Sequence, residues 1–169
     1  VDLEEYRANL KSIISHPHVT AHQPKIILVT PPPIDEVLQK KTDQSKGMPL
    51  CRRANVTRQY ADAAKEVGKE FGKDLLVLDL WSAVMDEVIR ESHSQTTDGL
   101  IPGSRELGEN KTLSRLLPDG LHFSGPGYKL FFELLMSSMK SKWTSPATPS
   151  DAFVLPEWRE APRKAPEHA

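Results

Sequence analysis

Residues Lys25-Ile26-Ile27-Leu28-Val29-Thr30-Pro31-Pro32-Pro33 set a short, continuously apolar and β-branched run against an abrupt proline stop. A strand with one wet face alternates apolar and polar residues, whereas an unbroken apolar run reads as a strand covered on both faces, the habit of parallel sheets. Leu75-Leu76-Val77-Leu78-Asp79-Leu80 repeats the pattern downstream. Parallel strands need a crossover, and the sequence between the two runs predicts one: Val56, Tyr60, Ala63, Ala64, Val67 and Phe71 keep a helical period from Leu50 to Phe71, with Gly72 as its stop.

Outward from these runs the helical pattern continues. Leu3, Tyr6, Leu10, Ile13 and Ile14 predict a helix from Asp2 to Ser15, ended by His16-Pro17. Trp81 to Ile89 predict another, and Ser124 to Trp143 the last strong one, where Tyr128, Phe131, Phe132, Leu134, Leu135 and Met139 form a broad apolar face behind Gly125, Pro126 and Gly127. Glu91 to Arg115 is mostly polar and holds Gly99, Gly103 and Gly108, which predicts a long surface loop, mobile beside a site. Five of the 14 prolines fall between Thr144 and Ala169, so 144–169 reads as a Pro-rich tail, with Phe153, Val154, Leu155 and Trp158 able to pack on the domain. The order helix, strand, helix, strand, helix predicts an α/β domain over residues 1–143 with a mostly parallel sheet. Two strands are few for such a sheet, and the pattern reads as the later part of a doubly wound fold whose earlier strands are missing. The chain opens on Val1 directly in helical rhythm, which reads as a cut.

Composition narrows the functions. With 38% hydrophobic and 27% charged residues in 169, one globular domain is expected. Twenty-two Lys+Arg against 23 Asp+Glu give a formal charge of -1, which offers no electrostatic reason to expect nucleic acid or an anionic membrane. No run has the eighteen or so apolar residues of a membrane span, and no signal peptide is legible at the N-terminus. The single Cys51 rules out an internal disulfide and suits a reducing compartment, so the cytoplasm is the expected location.

Chemistry concentrates in Asp119-Gly120-Leu121-His122-Phe123-Ser124. A carboxylate and an imidazole three residues apart can meet on one turn, where Asp119 accepts a hydrogen bond from His122 Nδ1 and leaves Nε2 as a general base. Gly120 permits the tight backbone turn. That pair is two-thirds of a Ser-His-Asp triad. On spacing alone, a turn-capping Asp beside a surface His is an equal reading.

Asp119-Gly120-Leu121-His122-Phe123-Ser124-Gly125-Pro126-Gly127-Tyr128 resembles the last block of the SGNH (GDSL-type) hydrolases, Asp-Gly-x-His followed by a helix that opens with small residues. Ile27 to Pro33 resembles the strand after that family's third block, Leu78-Asp79-Leu80-Trp81 its penultimate strand, and Val1 to Leu10 the helix after its Asn block. The resemblance runs on to isoamyl acetate-hydrolysing esterases and their fungal relatives through Leu155-Pro156-Glu157-Trp158-Arg159. It implies a flavodoxin-like three-layer α/β/α fold, here incomplete, with 1–143 the C-terminal portion of the hydrolase domain. It also implies cleavage of a small carboxylic ester without metal or organic cofactor, with His122 the base and Asp119 its orienting acid. The Gly-Asp-Ser block with the nucleophile, the following Gly and the Gly-x-Asn-Asp block are all missing from these residues, and no Gly-x-Ser-x-Gly elbow replaces them. Loss of a nucleophile costs about 10⁶ in turnover and each oxyanion donor roughly 10²–10³, so the chain alone is expected to be inactive. The rival reading is a non-catalytic pseudoenzyme or partner-binding fragment that packs through its open sheet edge; a third is a phosphate or carbohydrate ester hydrolase. Acyl size and oligomeric state are not legible.

Other reactive residues read as structural. Cys51 beside Arg52 and Arg53 is expected to be inert. His16, His18 and His22 read as solvated loop residues, with no Cys or carboxylate at zinc-ligand spacing, and His93 and His168 carry no motif. Asp79 reads as the anchor of the following helix, and Trp81 and Phe123 as core residues or walls of an acyl pocket. The mixed-charge run Arg159 to Glu167 reads as solvated.

Overall fold

The computed structural model describes residues 1–47, 49, 52–92 and 100–143, and the readings made for Cys51, His93, His168 and the tail 144–169 lie outside them. Nine elements follow in order: α1 Leu3–Ile14, α2 Pro17–Thr20, β1 Ile26–Val29, α3 Glu36–Ser45, α4 Ala54–Glu70, β2 Leu75–Leu78, α5 Leu80–Ser92, α6 Lys111–Leu116 and α7 Gly125–Lys142. β1 and β2 pair in parallel, with Ile26 opposite Leu75 and Val29 opposite Leu78. The described part is therefore α/β, mostly helical, around a small parallel sheet.

Helices cover both faces of the sheet. On one side α1 packs on α4 and α4 on the strands, joining Leu10, Ile14, Val67 and Phe71 to Ile26, Leu28, Leu75 and Val77. On the other, Leu80, Val84 and Val88 of α5 meet Leu113 and Leu116 of α6, with Leu117, Val29, Phe123 and the α7 residues Leu130, Phe131 and Leu134. A fully buried leucine contributes about 2 kcal/mol of transfer free energy, so this second cluster anchors the whole 113–134 segment.

Three expectations change in the structure, and one helix, α3, had none attached to it. β1 is only half-buried along its length, because among the described residues it has one neighbouring strand. The polar 91–115 stretch is not a uniform surface loop: Ile101, Pro102, Gly103 and Ser104 are buried, and Asn110 caps α6 by accepting from Leu113 N at 2.9 Å. One and a half turns of helix are too short to show a period. α3 had no apolar pattern to announce it, since its buried residues are Glu36, Gln39 and Asp43. Finally, α7 buries only part of its apolar surface: Tyr128 and Phe132 stay 61% and 60% exposed, one turn apart.

The remaining ends obey local rules. Asp2 caps α1 by accepting from Glu5 N at 2.8 Å. His16-Pro17 ends α1 as expected, yet Pro17 also starts the short α2, where its missing N–H costs nothing.

Candidate active site

The segment between α6 and α7 is pinned at both ends before any chemistry is considered. Gly120 N donates to Leu117 O at 2.9 Å and Ser124 N to Leu116 O at 2.9 Å. Ser124 Oγ donates to Arg115 O at 2.6 Å and accepts from Gly127 N at 3.3 Å, capping α7. Gly120 turns the chain at φ +83°, and a Cβ there would stand 2.5 Å from Asp35 O and from Gln39 N. Only glycine meets both demands.

Within this turn Asp119 and His122 face each other. Asp119 Oδ1 accepts from the backbone N–H of Leu121 at 2.9 Å and of His122 at 2.7 Å, and Oδ2 lies 2.6 Å from His122 Nδ1. Partial burial pushes the Asp119 carboxyl up, but the hydrogen bond from His122, the two backbone amides and the imidazole charge outweigh it and bring the pKa to about 2. At neutral pH the carboxylate is thus ionised and can only accept, so Nδ1 carries the hydrogen and Nε2 of a neutral ring is left as the acceptor. The Asp119 side chain is 35% exposed and that of His122 76%, so the imidazole is open to whatever approaches it.

Supports that no sequence pattern announced come from α3. Asp35 caps α3 through Oδ1, accepting from Val37 N at 2.9 Å and Leu38 N at 3.1 Å, while its own N–H donates to Gly120 O at 3.0 Å. Thr42 Oγ1 donates to Asp119 O at 3.4 Å. Leu121 reaches the buried group Ile34, Ala54 and Ile101, where Trp81 also packs. Trp81 further lines a 240 Å³ pocket with Arg58, Met85, Ile89, Leu100 and Pro102, and the Arg58 guanidinium sits 5.5 Å from its ring centroid. Neither Asp119 nor His122 lines that pocket. Phe123 packs against the larger core and meets Tyr128 edge to face at 5.7 Å.

Asp79, read from the sequence as the anchor of the following helix, is placed as one. Its oxygens accept from Ser82 N at 3.1 Å, Ser82 Oγ at 2.7 Å and Thr30 Oγ1 at 3.3 Å, and Lys65 Nζ lies 3.2 Å away. His16 uses Nδ1 to cap α2, accepting from His18 N at 3.3 Å. No group of three or more His, Cys, Asp or Glu side chains suited to a metal occurs among the described residues, nor any helix long and apolar enough to cross a membrane.

No family profile matches the chain. An isoamyl acetate-hydrolyzing esterase 1 homolog of Homo sapiens is 30% identical over 168 residues, 99% of this chain and 56% of the relative; its Mus musculus counterpart is 29% identical over the same spans. A GDSL esterase/lipase of Arabidopsis thaliana is 32% identical over 145 residues, 84% of this chain and 50% of the relative. These relatives are isoamyl acetate-hydrolyzing esterase 1 homologs and GDSL esterase/lipases, in keeping with the resemblance of the Asp-Gly-x-His block to the SGNH hydrolases. It spans about half the length of the curated relatives it matches.

Proposed function

We propose that this chain carries the acid–base half of a carboxylic ester hydrolase that works by acyl transfer on small-molecule esters. The observation that carries the proposal is the 2.6 Å contact between His122 Nδ1 and Asp119 Oδ2, on a turn that leaves the imidazole exposed. In the reaction Nε2 of His122 takes the proton of a serine hydroxyl as that oxygen attacks the ester carbonyl. Asp119 holds the tautomer and stabilises the imidazolium that results. His122 then returns the proton to the departing alkoxide, and the same base activates water to release the acid. The names of the relatives support ester chemistry, and the helices on both faces of a parallel sheet support an incomplete flavodoxin-like three-layer architecture.

The serine and its oxyanion donors have no counterpart in residues 1–169. The 169-residue chain is therefore expected to show no His122-dependent turnover of short acyl esters. The test is the coding sequence upstream of Val1. In-frame Gly-Asp-Ser and Gly-x-Asn-Asp blocks, and hydrolysis by that longer polypeptide that His122→Ala abolishes, are the expected result. A start codon at that point, or turnover indifferent to His122, would sink the proposal. The exposed Tyr128 and Phe132 favour the second reading, a non-catalytic fragment that binds a partner; that reading predicts the start codon.

A further inference from the structure

α3 is unusual in burying charge and polarity rather than apolar side chains, and such burial costs stability unless the groups are used. Its first residues show the use. The Glu36 side chain is only 5% exposed. Oε1 accepts from Ala54 N at 2.8 Å, at the start of α4, where Arg53 supplies no side-chain cap of its own. Oε2 takes the Arg53 guanidinium at 3.1 Å and lies 3.4 Å from Arg105 Nε in the 3₁₀ turn Arg105–Leu107. One buried carboxylate thus ties together α3, α4 and the 100–107 segment.

The backbone at the same place holds two loops at once. Glu36 N donates to Gly103 O at 2.8 Å and Asp35 N, one residue earlier, to Gly120 O at 3.0 Å. Both glycines have positive φ and press on this stretch: a Cβ on Gly103 would collide with Ile34 O, as one on Gly120 would with Asp35 O. Consecutive amides therefore read the positions of the 100–107 segment and of the turn that bears Asp119 and His122. A displacement of one loop must move residues 34–36, and these carry the other.

We propose that Glu36 is a positioning residue, which through its buried pair with Arg53 and Arg105 holds the 34–36 backbone at the setting that keeps Asp119 and His122 in register. The inference rests on the acid–base reading of those two residues, but its test needs no ester hydrolysis and so can fail separately from it. Arg105 is the decisive position, because its ion pair is with Glu36 and it sits on the segment remote in sequence from the turn.

The experiment follows the Asp119 carboxyl carbon and the His122 Nδ1–H proton by NMR in the 169-residue chain, in Arg105→Gln and in Glu36→Gln, with thermal unfolding recorded alongside. The expected result is an Asp119 midpoint that rises from about 2 toward the ordinary value near about 3.9, and an Nδ1–H that exchanges faster with water, in both variants. Lys111→Ala, exposed at the start of the short helix α6 nearby, serves as the control that leaves both signals in place. A merely structural pair would lower the unfolding temperature and leave the Asp119 midpoint and the Nδ1–H exchange of the folded protein unmoved, and that outcome would overturn the proposal. Should Glu36→Gln not fold, Arg105→Gln decides alone, since loss of that partly exposed guanidinium leaves Arg53 on the carboxylate.

Discussion

Asp79 and Asp119 stand at two corners of the same framework, each just after an apolar segment and each with a carboxyl held below its usual range, yet their partners differ in kind. Burial raises the Asp79 carboxyl, and the Ser82 hydroxyl and amide together with Lys65 more than reverse it. All of those partners belong to the β2–α5 corner or the helix beside it, so the charge is used up in holding α5 to the sheet. Asp119 gives one oxygen to two backbone amides and the other to an imidazole whose far side is open. A carboxylate that ends on fixed amides and hydroxyls builds structure; one that ends on a mobile proton can do chemistry.

Substitution should separate the two corners. In a polypeptide extended to supply the serine, Asp119→Asn is expected to lower kcat by about 10⁴, because an amide favours the wrong imidazole tautomer while the turn keeps its shape. Asp79→Asn is expected to leave kcat within about threefold, far less than a lost general base. Equal losses in the two variants would erase the distinction.

Gly120→Ala combines the cost of a left-handed backbone with a backbone collision and is expected to cost about 3 kcal/mol in urea unfolding, whereas Gly125→Ala, with open space around it, should change little. Asp79→Ala removes the cap of α5 and is expected to cost about 1–2 kcal/mol. Gly120→Ala as stable as Gly125→Ala would show that the turn is not pressed on α3.

The smallest effect is in acid. Asp119 has a folded pKa near 2 against an unfolded value near about 3.9, so its contribution is fully present above the latter and is lost as pH falls through the former. Asp35 has the opposite sign: burial raises its carboxyl, which outweighs the Leu38 and Val37 amides, so ionising it as pH rises opposes folding. Asp35→Asn should keep the α3 cap and slightly raise the unfolding temperature at neutral pH, a gain that vanishes in acid.

How far the sequence spoke depended on whether burial left an apolar trace. β1, β2, α1, α4, α5 and α7 were legible because Ile26 to Val29, Leu75 to Leu78 and the periodic faces of the helices display what they bury. α3 was silent because Glu36, Gln39 and Asp43 are its buried residues, and no hydrophobic period exists to find. α6 was silent because six residues hold too few turns, although Leu113 and Leu116 are core. In the candidate site, spacing and a glycine left the Asp119–His122 contact level with a simple turn cap, and the resemblance of the Asp-Gly-x-His block favoured it; the cradle of Asp35, Glu36 and Thr42 had no signal at all, since polar residues that bind backbone leave no pattern.

The most direct test of the pairing on which all of this rests is a pH titration of the Asp119 carboxyl carbon in the 169-residue chain, repeated in His122→Ala. The account predicts a midpoint near 2 in the unaltered chain and a clear rise toward about 3.9 once the imidazole is gone. A midpoint already at the ordinary value, or one that His122→Ala does not move, would contradict it.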